Sequence, residues 1–299
     1  MKRQSEDASG FRLRASDMRS VVSIARRWFR PNLDAAELLR KEERRLIRLC
    51  VGLPIEARAK VQGGLALALV GEPVRVETPK GSLAFAVFGQ PSAQRAKGLL
   101  TKQPATIAWI DTFPPNSVFW DIGANVGAYT LYAALNPDVR VVAFEPAAAN
   151  YFLLTANCEL NALGERVDCL QLGVGRGKSL GHLETSQFEP GLSFSFRGKG
   201  RRLPSSRQAA LILSMDELME EFGLPCPNYI KIDVPGLTEA IVEGGERMLQ
   251  RPDVRELHIE TNEDSTPGRR IVALLERHGF QITGRHVRGT IDLTFTKRG

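Results

Sequence analysis

Nine consecutive residues, Phe119-Trp120-Asp121-Ile122-Gly123-Ala124-Asn125-Val126-Gly127, constrain this chain more than any other stretch. A short apolar run, Val118-Phe119-Trp120, stops at an acid, and a glycine turn follows. Beyond it Ala128, Leu131, Tyr132 and Leu135 repeat at the spacing of one helix face. A strand that turns tightly into a helix is the opening unit of an α/β sheet. The pattern recurs. Residues 139–144, 167–172, 229–234 and 254–259 read as further strands. Helical stripes separate them: Tyr151, Leu154, Cys158 and Ala162; the run 237–249; and Ile271, Leu274, Leu275 and His278, closed by Gly279. This alternation implies a mostly parallel sheet with helices on both faces. Such sheets take ligands outside the carboxyl ends of their strands. Asp121, Glu145 and Asp233, the acids that end three apolar runs, are therefore the first candidates for a site.

The flanks are read more coarsely. Residues 74–77 and 83–87, around Thr78-Pro79-Lys80-Gly81, suggest a hairpin. Ser214-Met215-Asp216-Glu217 is a capping box whose helix ends at Gly223. Residues 290–296 alternate as a closing strand. Residues 175–207 are rich in Gly, Ser and Arg, with Phe188, Phe194 and Phe196 scattered among them. A long loop is expected there, and with it the contacts to a variable substrate. Residues 33–50 read as an amphipathic helix. Residues 1–60 carry 15 Lys/Arg against 8 Asp/Glu, while the rest of the chain carries 25 against 26. The expected division is a basic, mainly helical extension over 1–70 and one catalytic-type domain over 71–299.

Several classes are disfavoured. No stretch approaches the ~18 apolar residues of a membrane span. The charged start, Met1-Lys2-Arg3, has no apolar core behind it, so no secretory signal is expected. Cys50, Cys158, Cys169 and Cys226 are at least eleven residues apart, without zinc-type spacing. Reduced thiols in a cytoplasmic protein are the expectation. The histidines, His182, His258, His278 and His286, do not cluster, and no metal is expected.

The acids suggest a ligand. The turn after Asp121 does not fit the dinucleotide pattern G-x-G-x-x-G, because Asn125 stands where the second glycine should be. An acid before the glycines repels phosphate and suits a cationic amine. Gly127 lets either the helix pack closely or a ligand approach the backbone. Glu145, 22 residues after Gly123, sits where an acid can accept hydrogen bonds from both ribose hydroxyls. A ribose, an amine and no phosphate cradle together describe S-adenosylmethionine. In Ile230-Lys231-Ile232-Asp233-Val234-Pro235-Gly236, Lys231 and Asp233 point to one side of a strand, with Asp233 at the crevice.

Asp121-Ile122-Gly123-Ala124-Asn125-Val126-Gly127, Ala143-Phe144-Glu145-Pro146 and Lys231-Ile232-Asp233-Val234 together resemble the FkbM family of S-adenosylmethionine-dependent methyltransferases. The resemblance runs over roughly 74–296. It implies a class I methyltransferase Rossmann-like sheet of about seven strands with an antiparallel last pair, and usually O-methylation. It places the donor's methionine end at Asp121, Gly123, Asn125 and Gly127, and its ribose at Glu145. Pro235 stands where the family often has Glu, so no carboxylate carries over there.

The expected reaction is methyl transfer to a hydroxyl of a small-molecule or sugar-like acceptor. The general base is left among Asp233, Glu260, His258 and His182, with Lys231 beside Asp233 as a further catalytic candidate. Two other readings stand beside it. One is a donor-binding module without activity. The other is a nucleic-acid methyltransferase using the basic arm, disfavoured because Phe113-Pro114-Pro115-Asn116 lacks the polar and aromatic flanks of a base-gripping loop.

Overall fold

The computed structural model describes residues 73–185, 190–192, 206–288 and 290–298, with Lys41, Arg44, Arg45, Arg48, Pro54, Ile55 and Ala57. Of the helix expected over 33–50, only Lys41, Arg44, Arg45 and Arg48 are described, and these are helical. Phe188, Phe194, Phe196 and the rest of the basic arm lie outside the described residues.

The described chain opens with the expected hairpin, β1 (Val74–Thr78) and β2 (Gly81–Phe85), whose turn is closed by Thr78 Oγ1 donating to Gly81 O at 2.7 Å. Three short helices follow: α1 (Gln90–Lys97), α2 (Leu99–Lys102) and α3 (Pro104–Ile110). None was read from the sequence. They are too brief to show a periodic stripe, although Pro91 and Pro104 sit in first turns, where a missing N–H costs nothing.

The expected alternation comes next. β3 (Val118–Ile122) leads to α4 (Ala128–Ala134), β4 (Arg140–Phe144) to α5 (Ala148–Leu160), and β5 (Val167–Leu170) follows. The segment 175–207, expected as loop, is partly strand. β7 (Ser179–Thr185) and β8 (Ser206–Leu213) pair antiparallel, and β6 (Gly173–Val174) joins them in a small second sheet. Its alternation is poor: Leu180 and Leu211, cross-strand partners, are both exposed. α6 (Met215–Glu220) carries the capping box in full.

β9 (Tyr229–Ile232) precedes the run 237–249, which is two helices rather than one. α7 (Thr238–Glu243) ends and α8 (Glu246–Gln250) begins at Gly244-Gly245. Asp216 accepts from the backbone N–H of Arg247 and Met248 at 3.1 and 2.7 Å, capping the second piece. β10 (Glu256–Glu260), α9 (Thr266–Arg277) and the antiparallel pair β11 (Phe280–Arg288) and β12 (Thr290–Lys297) complete the domain.

The main sheet has seven strands in the order β11-β12-β10-β9-β3-β4-β5. β10, β9, β3, β4 and β5 are parallel, and β12 runs against β10. This is the class I methyltransferase Rossmann-like arrangement. One face presents Trp120, Ile122, Ile230, Ile232, Leu257 and Ile259 to the larger core cluster. The other presents Phe119, Val141 and Tyr229 to Trp109, Phe113 and Leu131. Each large side chain buried this way contributes about 1.5–3 kcal/mol. That supply lets the sheet bury a row of polar groups at its centre. Among the described residues, no helix is long and apolar enough to cross a membrane. Cys158 and Cys169 meet between α5 and β5, Sγ to Sγ 3.7 Å, and both are free thiols.

Candidate functional site

Strand register builds the site in two rows. Asp121 pairs with Lys231, Lys231 with His258 and His258 with Thr294, across β3, β9, β10 and β12. All are buried. Side chains two residues on point to the same side of a strand. Gly123, Asp233, Glu260 and Asp292 therefore form a second row at the carboxyl edge, with Glu145 beyond β4.

The inner row is nearly satisfied. Thr130 Oγ1 donates to Asp121 Oδ2 at 2.7 Å. Lys231 Nζ lies 3.5 Å from Asp121 Oδ1 and 3.5 Å from Asp233 Oδ2, and 5.1 Å from the centre of the Tyr129 ring. Burial alone would lower the lysine, but the Asp233 and Asp121 carboxylates outweigh it and hold the ammonium above its usual range. Burial pushes Asp233 up, yet Lys231, Arg95 and Lys102 together hold it below the usual carboxylate range. Asp121 Oδ1 remains without a hydrogen-bond donor.

His258, one candidate base, is structural. Its ring nitrogens meet Thr106 Oγ1 and Thr294 Oγ1, each at 3.0 Å, and it stacks on Trp109. Burial and then Lys231 push it down to about 3. It belongs to a ladder between α3 and β10. Trp109 Nε1 donates to Glu256 at 2.7 Å, Thr106 meets His258, and Gln103 Nε2 reaches Glu260 at 3.5 Å. Helix positions three apart thus read strand positions two apart. His182, the other histidine candidate, lies on β7 of the small sheet.

At the turn itself, Gly123, Asn125 and Gly127 all have positive φ, 85°, 54° and 87°. Asn tolerates this region and glycine prefers it. The glycines answer to packing as well. A Cβ on Gly123 would meet Asp233 O at 2.5 Å, and one on Gly127 would meet Leu154 Cδ1 at 2.6 Å. Of the two roles open to Gly127, close helix packing is the one the structure displays. Asn125 N donates to Glu145 Oε2 at 2.9 Å, and Ala147 N donates to Oε1 at 2.8 Å. Burial still pushes the Glu145 carboxyl up to about 7 against those donors. Asn125 and Asn150 both donate through Nδ2 to Leu192 O at 3.0 Å. Within the expected substrate loop, residues 190–192 thus touch the glycine-turn side.

Two of the cavities along this edge share lining residues. A small one of about 40 Å³ is lined by Gly123, Asn125, Tyr129, Lys231 and the cations Arg95 and Lys102. Asp121, Gly127 and Glu145 lie behind its wall rather than on it. A larger one of about 840 Å³ opens over β10 and β12, with Arg95, Lys102 and Asp233 shared between the two. Glu260, Asp292 and Gln103 line it. Burial and then Asp233 push both Glu260 and Asp292 above the usual carboxylate range. Arg95, Lys102, Gln103, Tyr129 and Asp292 were not singled out from the sequence. Only Thr130, one face turn into the helix after the glycines, carries a local signal.

The chain was compared with known proteins. The profile described as Methyltransferase FkbM domain matches residues 121–282. A hexuronic acid methyltransferase, AglP, of Haloferax volcanii is 25% identical over 194 residues, 65% of this chain and 77% of that protein. The 31-O-demethyl-FK506 methyltransferase FkbM of Streptomyces tacrolimicus is 28% identical over 193 residues, 56% and 74% of the two chains. Among solved structures, a methyltransferase FkbM of Methylobacillus flagellatus aligns with a TM-score of 0.43 at 13% identity, over 81% of this chain and 60% of that one.

Proposed function

The chain belongs to the FkbM methyltransferase family, with S-adenosylmethionine as methyl donor, and on that premise we propose that it methylates a hydroxyl of a small, sugar-like acceptor. When bound, the donor supplies a methyl group activated on a sulfonium. The charges at the glycine turn suit it. Arg95 and Lys102 face a carboxylate, while Asp121, ion-paired with Lys231, and Glu145 lie behind the wall and meet the ammonium and the ribose hydroxyls only as that wall opens. A nucleoside exceeds about 40 Å³, so the small cavity has to widen to admit one.

The chain's own work is alignment and one proton transfer. Lys231 is held protonated and is no base; it fixes Asp121 and Asp233 relative to each other. Asp233, held ionised by three cations, is a weak base. Glu260, with its carboxyl raised and on the large cavity, is better matched to take the hydroxyl proton at its Oε atoms. The observation that carries this reading is the carboxylate row along the sheet's carboxyl edge, beside the family's glycine turn.

The test is label transfer from methyl-labelled S-adenosylmethionine to a panel of sugars and polyols. Label in a base-stable ether supports the reading. Label in a base-labile ester would shift the acceptor group to a carboxylate, and none in any product would favour the inactive module.

A further inference from the structure

Asp292 and Glu260 are register partners across β10 and β12. Like charges placed directly opposite on neighbouring strands destabilise a sheet. Asp292 is only 7% exposed, yet its carboxylate makes no hydrogen bond or ion pair among the described residues. A second, separate group shares its position. Gln103, at the N-terminus of α3, is 9% exposed, and its Oε1 is buried without a donor while its amide nitrogen leans on Glu260. A buried acceptor without a donor costs about 1–3 kcal/mol, so folding does not account for Gln103 Oε1, and the Asp292 carboxylate opens onto the cavity instead of into the fold.

Both groups line the cavity of about 840 Å³, a volume typical of small-ligand sites. Its charges roughly cancel. Asp233, Glu260 and Asp292 face Lys102 and Arg95, and Arg285 is tied to Glu263 at 2.5 Å. A strongly charged ligand gains little there, whereas a neutral ligand rich in hydrogen-bond donors can satisfy Gln103 Oε1 and the Asp292 carboxylate together. Pro104, Ala108 and Pro235 supply apolar wall for the carbon face of a ring.

We propose that this cavity takes an acceptor with two adjacent hydroxyls, one held by Asp292 and Gln103 while its neighbour is presented to Glu260. The proposal rests on the hydroxyl-methyltransferase reading and adds its specificity. Gln103 and Asp292 both fall outside the family match of 121–282. They mark a polyol subsite that the family motifs do not encode.

Saturation-transfer NMR on the full chain tests it, with methyl glucoside, methyl galactoside and inositol as probes. Cyclohexanol serves as the single-hydroxyl control and cyclohexylamine as the cationic one. Polyols are expected to bind and both controls to stay silent. Asp292→Asn and Gln103→Leu should each weaken polyol binding about tenfold, the scale of one lost hydrogen bond to a charged or buried group. S-adenosylhomocysteine binding in both variants should match wild type, which also shows that they fold. Equal binding of cyclohexanol, tighter binding of the amine, or unchanged polyol affinity in both variants overturns the subsite. If S-adenosylhomocysteine binds and no polyol does, the subsite fails while the donor reading stands. If polyols bind and S-adenosylhomocysteine does not, the donor reading fails instead.

Discussion

The two ends of the carboxylate row are built on opposite principles. At the glycine turn, groups are buried and largely partnered: Thr130 on Asp121, two backbone N–H groups on Glu145, and two asparagines on Leu192. Over β10 and β12, Gln103 keeps a buried oxygen without a donor and Asp292 opens its carboxylate onto a cavity some twenty times larger. The first end is partnered within the protein, around one ligand. The second leaves its hydrogen bonds to be completed by whatever enters. A fixed donor and a variable acceptor call for that division.

The largest expected effect comes from breaking the inner row. Lys231→Ala leaves Asp121 buried and Asp233 half-buried around the space of the lost cation and should destabilise the fold by about 3–5 kcal/mol in urea denaturation. A change within about 0.5 kcal/mol would mean that the row does not hold the sheet centre. Next is Gly127→Ala, which strains a positive φ and pushes into Leu154 and Leu131. A loss of about 1–3 kcal/mol is expected. Wild-type stability there would show the turn to be looser than its packing implies.

Glu145 sharpens the comparison through pH. Its carboxyl is raised from 4.5 to about 7, so its contribution to stability is full below 4.5 and is lost as pH rises through about 7. The carboxylate that accepts two ribose hydroxyls forms over the same range. S-adenosylhomocysteine should therefore bind more tightly as pH rises through about 7, by roughly tenfold, and the slope should vanish in Glu145→Gln. An identical slope in that variant would assign the titration elsewhere. The smallest effect belongs to the open end. Asp292→Asn removes a like charge opposite Glu260 and should leave stability within about 0.5 kcal/mol of wild type, or raise it slightly. A loss of several kcal/mol would make Asp292 part of the fold.

The same contrast explains what could be read from the sequence. Asp121, Gly123, Asn125 and Gly127 lie on one contiguous strand–turn–helix unit, and Glu145 ends the next strand, so local pattern and offset reveal them. Lys231 and Asp233 are likewise two apart on one strand. The acceptor end joins Gln103, Glu260 and Asp292 from a helix, a parallel strand and an antiparallel strand far apart in the chain. Only the register of β10 against β12 and the ladder from α3 bring them together. Nothing local records that, and Gln103 and Asp292 therefore escaped notice. Strand β11 was missed because its residues alternate weakly, and β7 because it lies inside a segment expected as loop; β8 begins at the end of that segment and was not read. His258 is the opposite case: alternating with Leu257 and Ile259, it could be a base or a buried core histidine, and Thr106, Thr294 and Trp109 enclose it as the second.

Calorimetric titration with S-adenosylhomocysteine, using NAD as control, addresses the central claim most directly. The carboxylate row and glycine turn predict saturable binding of the first and none of the second. Binding of NAD, or of neither compound, would contradict the account.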